Sequence, residues 1–191
     1  RAHRAVYPVT EFVAHTSNVN AVHIGRKSAD LMATGGDDRR VNLWSIRQGL
    51  NRASLPGHTS AVQCLAFDHS EQWLAAGSVG GTLKLWDLGS PRVARTLTGH
   101  RSSCLSVRWH PFGNLFASSS ADTTIRLWDL RHKTSMQAYN GHVGAVSCLE
   151  FSPDGQWIVS GGEDGAVKLW DLTRWRLMHD FSAGGAPCVA V

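Results

Sequence analysis

Four tryptophans, Trp44, Trp86, Trp128 and Trp170, stand at a constant interval of 42 residues. Four histidines, His15, His58, His100 and His142, precede them at intervals of 43, 42 and 42. A fixed period of this length means that one supersecondary unit is stacked on copies of itself, because such a unit cannot bury its apolar face alone. The clearest copy is residues 141–171, GHVGAVSCLEFSPDGQWIVSGGEDGAVKLWD, and the others are residues 14–45, 57–87 and 99–129.

Within the clearest copy, apolar runs of strand length alternate with turn chemistry. Val146, Cys148, Leu149 and Phe151 form a nearly continuous apolar run, the pattern of an inner strand covered on both faces. Ser152-Pro153-Asp154-Gly155 then turns the chain, since proline presets φ and glycine accepts φ > 0. Trp157, Ile158 and Val159 make a second strand, and Glu163-Asp164-Gly165 reads as a tight hairpin. Val167 to Trp170 is a third strand, interrupted by Lys168, and Leu177 to Phe181 a mixed outermost one. Four strands per unit make one propeller blade. With Gly-His opening the unit and Trp-Asp ending it, the sequence resembles the WD-repeat family. The expected class is all-β, a WD-repeat β-propeller of four blades plus the start of a fifth.

The expected units are 14–56, 57–98, 99–140 and 141–182. Residues 1–13, with Val6, Tyr7, Val9, Phe12 and Val13, are expected to supply an outer closing strand, and 183–191 to begin a fifth unit that lacks its Gly-His. WD-repeat rings usually have seven blades, which at this period needs roughly 300 residues. The 191 residues therefore read as an incomplete ring: a fragment, a truncated product or one piece of a longer protein. Such a ring exposes an apolar blade face and an unpaired strand edge.

The recurring His, Ser and Asp invite a catalytic reading, but a triad has no reason to occur three times at one period. The resemblance implies instead a buried polar network in each blade. On this sequence it falls on His15, Thr34, Asp38 and Trp44; on His100, Ser118, Asp122 and Trp128; and on His142, Ser160, Asp164 and Trp170. Each bond contributes about 1 kcal/mol net. The second unit keeps His58 and Trp86 but has Ala76 and Gly80 at the other two positions, a paired loss expected to avoid a half-satisfied network.

With that network set aside, no P-loop, dinucleotide turn, H-E-x-x-H or G-x-S-x-G remains, so neither an enzyme nor a cofactor is expected. No apolar run approaches the roughly 18 residues of a membrane span, and the amino-terminal stretch has no signal-peptide core. Cys64, Cys104, Cys148 and Cys188 fall on inner strands of successive units with no C-x-x-C pair. They read as buried thiols of a reducing compartment, cytosol or nucleus, and no metal site is expected.

The working surfaces of a propeller are its loop rims. On the rim of the third-to-fourth strand turns lie Arg47, Arg92, Arg95, Arg131, His132, Lys133, Arg174 and Arg176, joined by Arg26 and Lys27 from a first-to-second strand turn. Only Asp68, Glu71 and Asp154 are counted among them, and the chain carries a formal net charge of +4. This suggests a basic face for an acidic partner, against the alternative of scattered solvated charge. Trp175, amid these residues, is either a contact anchor or folded back on its own blade. The opposite rim, with Asp37, Asp38, Arg39, Arg101, Glu163 and Asp164, is less informative. The basic residues are not interleaved with aromatic platforms, which argues against nucleic acid.

Between the repeat marks, EFVAH (11–15), IGRKS (24–28), TGGDDRRVNLW (34–44) and LTGHRSSCLSVRWHPFGNLFAS (97–118) resemble the WD-repeat regulatory subunit of katanin, most closely its plant forms. SGGEDGAVKLWDLT (160–173) fits as well. The resemblance implies a non-catalytic subunit, cytoplasmic and cytoskeletal, that binds microtubules and positions an AAA ATPase subunit that severs them. Acidic tubulin tails would match the basic rim. The family's ATPase-binding carboxy-terminal region has no counterpart here, and Arg174-Trp175-Arg176 departs from the usual turn. As an alternative, Trp128-Asp129-Leu130-Arg131 resembles the W-D-x-R motif of substrate receptors of cullin–RING ubiquitin ligases, with Arg131 as the adaptor contact.

Overall fold

The computed structural model describes residues 11–182 apart from residue 91. The expected closing strand falls mostly outside these residues, and residues 11–13 carry no strand. The expected fifth unit, with Cys188, lies outside them as well.

Sixteen strands and no helix occur among the described residues. They are β1 (Val19–Ile24), β2 (Leu31–Gly36), β3 (Val41–Ser45), β4 (Leu50–Leu55), β5 (Val62–Phe67), β6 (Trp73–Ser78), β7 (Leu83–Asp87) and β8 (Arg92–Leu97), followed by β9 (Cys104–Trp109), β10 (Leu115–Ser120), β11 (Thr124–Asp129), β12 (Gln137–Asn140), β13 (Val146–Phe151), β14 (Trp157–Gly162), β15 (Ala166–Asp171) and β16 (Arg176–Ser182). They form four antiparallel sheets, each a meander of four successive strands. Short connections dictate this order, since antiparallel strands can be joined by tight turns. Gly155 and Gly165, both at φ 71°, occupy the left-handed positions that the expected turns of the last blade require.

Each innermost strand carries a register shift near its start, between Val19 and Ala21, Val62 and Cys64, and Val146 and Cys148, with the matching shift of β9 opposite Ser119 and Ser120. The residues skipped, Asn20, Gln63, Leu105 and Ser147, line a common cavity where the four inner strands converge. The bulges thus twist the inner strands around an axis.

Blades stack face to face, and every joint is built the same way. In the first, Leu65, Phe67, Leu74 and Trp86 of the second blade pack on Ala33, Val41, Leu43 and Leu55 of the first. In the second, Val107, Phe116 and Trp128 pack on Ala75, Leu83, Leu85 and Leu97. In the third, Leu149, Phe151, Ile158 and Trp170 pack on Ala117, Ile125, Leu127 and Tyr139. A bulky face meets a flatter one, so side chains interdigitate at crystal-like density.

Among the described residues, the two outer faces have no such neighbour. Val22 and Ile24 of β1 are 61% and 53% exposed, whereas Leu65 and Phe67, one period on, are 4% and 5% exposed. Trp44 escapes exposure because the Phe12 ring lies 4.5 Å away, centroid to centroid. At the other end, β13 departs from the expected strand covered on both faces: Val146, Leu149 and Phe151 are buried, but Cys148 is only partly buried and Glu150 is exposed. Burial on both faces needs a blade on each side, and no described blade follows the fourth. Lys168, expected to interrupt β15, is 4% exposed and pairs with Asp180 on β16.

This arrangement makes equivalent positions unequal. Leu65→Ala is expected to cost about 2–5 kcal/mol of unfolding free energy, and Val22→Ala less than about 0.5 kcal/mol, in urea denaturation of the two variants.

Candidate functional site

The polar sets predicted by the period come together in three blades. His15 Nδ1 lies 2.9 Å from the Asp38 carboxylate and its Nε2 2.8 Å from Thr34 Oγ1, to which Trp44 Nε1 donates at 3.0 Å. In the third blade the distances are 3.0 Å from His100 to Asp122, 2.7 Å from His100 to Ser118 and 2.8 Å from Trp128 to Ser118. In the fourth they are 2.9, 2.8 and 2.8 Å for His142 to Asp164, His142 to Ser160 and Trp170 to Ser160. One proton arrangement satisfies every group. Trp donates to the hydroxyl, the hydroxyl donates to Nε2 of a neutral imidazole, and Nδ1–H donates to the carboxylate.

Burial holds the pKa of His100 and His142 below the ordinary value despite their carboxylate partners. Burial alone would raise Asp122, but hydrogen bonds from Thr124, the Arg101 amide and His100 outweigh it and hold the carboxyl at about 2. Asp122 and Asp164 also accept the amides of Arg101 and Val143, which ties the loop entering each blade to its second hairpin. Ser118 and Ser160 are 0% exposed, so no substrate carbonyl reaches their oxygens. The network is a clamp within each of these three blades.

The second blade corrects the expectation made for it. Neither ring nitrogen of His58 nor Trp86 Nε1 has a hydrogen-bond partner in good geometry. Removing the hydroxyl and carboxylate did not remove the groups that used them, and both remain buried in the joint. Burial, with Lys84 nearby, pushes the His58 pKa down to about 4.

The residues proposed for partner binding lie on one rim. Amides of Ile46, Leu88, Leu130 and Leu172 donate to Asp30, Gln72, Asn114 and Gln156, bringing the two kinds of turn side by side in every blade. Arg26, Lys27, Arg47, Arg92, Lys133, Arg174 and Arg176 are exposed there, and Arg95 is partly covered, donating to Leu130 O at 2.7 Å. Arg39 and Arg101 are on the opposite rim, beside the clamp carboxylates.

The basic rim is less one-sided than its sequence suggests. Asp129 is 1% exposed and accepts from the Arg131 amide and guanidinium at 2.6–3.1 Å, and these bonds, with the Arg131 charge, hold its pKa low. Asp171 accepts from the Thr173 hydroxyl and the Thr173 and Arg174 amides, which bring it to about 2. The first blade has Ser45 at this position and Asp30 supplies the carboxylate, accepting from Ser45 Oγ, the Arg47 amide and Arg52. These aspartates cap the turns. The signal was an Asp two residues before the turn donor, a spacing that favours Asx turns and that the sequence reading absorbed into the Trp-Asp mark.

Trp175 presents part of its ring to solvent. It is 43% exposed and sits at φ 56°, the left-handed turn position that Gly49 fills at φ 64° in the first blade. A bulky residue there is an outlier held by its surroundings. Sequence reasoning also missed a cavity of about 380 Å³ where the inner strands meet this rim, lined by His23, Phe67, Arg108, Trp109, His110 and Phe151 among others. Arg108 there is paired with Glu150 at 2.8 Å.

A family model described as WD domain, G-beta repeat matches residues 6–45, 49–87, 91–129 and 133–171. The chain belongs to the WD40-repeat family. Each matched WD40 repeat after the first takes in the outer strand of the preceding sheet, so repeats and blades are offset by one strand. Among curated relatives, the chain is 49% identical over 75 residues to "Katanin p80 WD40 repeat-containing subunit B1 homolog KTN80.2" of Arabidopsis thaliana, covering 39% of this chain and 6% of that protein. It is 47% identical over 77 residues to "Katanin p80 WD40 repeat-containing subunit B1" of Danio rerio, 40% of this chain and 11% of that one. It is 52% identical over 78 residues to the Arabidopsis homolog KTN80.3, 41% of this chain and 9% of that one. The matched stretch thus spans about a tenth or less of these relatives.

Ala76→Ser, which restores the hydroxyl between His58 and Trp86, is expected to stabilise the chain by about 1 kcal/mol. In the parent, the His58 pKa is lower folded than unfolded, so the stability linked to it is complete above pH 6.5 and lost as pH falls toward 4. That loss amounts to roughly 3 kcal/mol at most, and His100 and His142 act in the same sense. Urea midpoints of both proteins and of His58→Phe between pH 7 and 4 check this, with the His58→Phe curve the flatter.

Proposed function

We propose that this WD40 chain is a non-enzymatic interaction module. In our reading it is the targeting and regulatory part of a microtubule-severing complex, which binds acidic microtubule surface through its basic rim and helps position an AAA ATPase partner. The observation that carries the reading is the similarity to katanin p80 WD40 subunits, 47–52% identity in the matched stretches above. The rim supplies a physical means. Arg174 and Arg176 flank exposed Trp175 along the chain, and its strained left-handed backbone sits between these two positive charges. Aromatic and Arg side chains together are the usual anchors of protein contacts. Cationic rims also steer and hold anionic partners in a salt-dependent way.

Co-pelleting with microtubules, intact or stripped of their acidic tails, across a salt series tests the reading. Tail-dependent binding that weakens with salt is expected. Reversing Arg47, Lys133 and Arg176 to Glu, which leaves the capped Asp129 and Asp171 undisturbed, is expected to weaken it about tenfold or more. Binding indifferent to salt, tails and these reversals would contradict the rim as the contact. Capture of a cullin–RING adaptor that requires Arg131 would favour the ligase-receptor reading instead.

A further inference from the structure

All four blades make the same turn between their second and third strands, and three of them close it over a carboxylate. Its backbone is alike throughout. Amides of Asp37, Val79, Ala121 and Glu163 donate to the residue just ahead of each inner strand at 2.8–3.0 Å. Those of Arg39, Gly81, Thr123 and Gly165 donate to Gly36, Ser78, Ser120 and Gly162. In the first, third and fourth blades three donors converge on the aspartate of this turn. For Asp122 they are His100 Nδ1 at 3.0 Å, the Thr124 amide at 3.0 Å and the Arg101 amide at 2.9 Å. For Asp164 they are His142 Nδ1 at 2.9 Å, the Ala166 amide at 3.2 Å and the Val143 amide at 2.9 Å.

The second blade keeps the donors and lacks the acceptor. Gly80 has no side chain at the aspartate position, while Thr59 and Thr82 stand where Arg101 and Thr124 do. The His58 ring nearly keeps its sisters' orientation, 5.5 Å and 57° from Trp86 against 6.2 Å and 62° or 49° in the third and fourth blades. It is 7% exposed, and its Nδ1 has no partner in good geometry. A buried polar atom of this kind favours any ligand that pairs with it. The place is reachable from solvent, since the sister aspartate side chains are 7–12% exposed and both Thr59 and Gly80 are exposed. The Lys84 stem lies beside Gly57, and its ammonium donates to the Thr96 hydroxyl, whereas its counterpart Lys168 is paired with Asp180. His58 also lines a surface cavity of about 320 Å³ with Asp37, Asp38, Arg39 and Arg40. The two carboxylates there are already held, Asp37 by Asn18 and Asn20 and Asp38 by His15.

We propose that the second blade binds an external carboxylate at the place of the missing aspartate, held by His58 Nδ1–H and the amides of Thr59 and Thr82. A small carboxylate and the Asp or Glu side chain of a partner present the same planar pair of acceptors, and the sister blades show the geometry that receives it. The site lies on the rim opposite the basic one and is independent of the microtubule reading.

Amide NMR of the chain, titrated with formate, acetate and a capped Gly-Asp-Gly tripeptide against chloride and sulfate at matched ionic strength, tests this. The Thr59 and Thr82 signals are expected to move with half-saturation at about 1–10 mM. Those of Arg101, Thr124, Val143 and Ala166, already bonded to Asp122 and Asp164, are expected to stay still. His58→Phe is expected to weaken the response ~10-fold or more. Gly80→Asp puts the carboxylate on the chain and is expected to abolish the response. A Cβ added at Gly80 meets only the Ser60 side chain, its hydroxyl 3.0 Å away and free to turn aside, and unchanged signals in the other blades separate blocking from unfolding. A tripeptide that binds more tightly than acetate, and not at all as Gly-Asn-Gly, would assign the site to an acidic partner; equal responses to both would assign it to small carboxylates. Still signals at Thr59 and Thr82 up to about 100 mM ligand, equal shifts with chloride or sulfate, equal shifts in the sister blades, or a response that survives Gly80→Asp would overturn the proposal.

Discussion

The structure depends on the joint between blades. A four-stranded meander offers two broad faces and can bury neither by itself, so every blade is stable only through its neighbours. Leu65, Phe67 and Trp86 on one side and Ala33, Leu43 and Leu55 on the other are the first such joint, and the same positions recur in the next two. Close packing at these contacts explains why the buried positions of each period are restricted in size while the rims vary freely.

Within a blade, a second constraint acts along the chain. The clamp from Trp through hydroxyl and imidazole to carboxylate joins two strands, the turn between them and the entering loop, and each of its groups needs all the others. Where two were lost, in the second blade, His58 and Trp86 stay buried although their side-chain nitrogens find no partner in good geometry. That blade is also packed on both sides, by Leu43 of the first blade and Val107 of the third, which shows how the joint tolerates a broken clamp. The turn aspartates Asp129 and Asp171 form a third layer, which sets the loops of the basic rim in fixed shapes before any partner arrives.

Much of the fold was legible in the sequence because its signals are local or strictly periodic. Pro153-Asp154-Gly155 turns a chain wherever it stands, and a 42-residue interval puts His142 beside Ser160 by repetition alone. What was not legible depends on neighbours. The apolar run of β13 looks the same whether a blade covers Cys148 or not. Ala76 and Gly80 could be seen as missing partners, but not that His58 would stay buried without them. The charge of the rim was misjudged because Asp129 and Asp171 were counted as repeat marks. Trp175 gave no sign of its left-handed backbone, which follows from the turn geometry that Gly49 adopts freely.

The WD40 fold thus provides a stack of blades whose surface chemistry lies on its rims, one of them basic with an exposed tryptophan. The central claim is that blade-to-blade packing sets stability along the stack. Hydrogen exchange of backbone amides, blade by blade, tests it most directly. The account predicts the slowest exchange in β6, β7, β9 and β10, whose blades are packed on both faces, and faster exchange in β1 and β16. Uniform protection across the four sheets, or slowest exchange in the end blades, would contradict it.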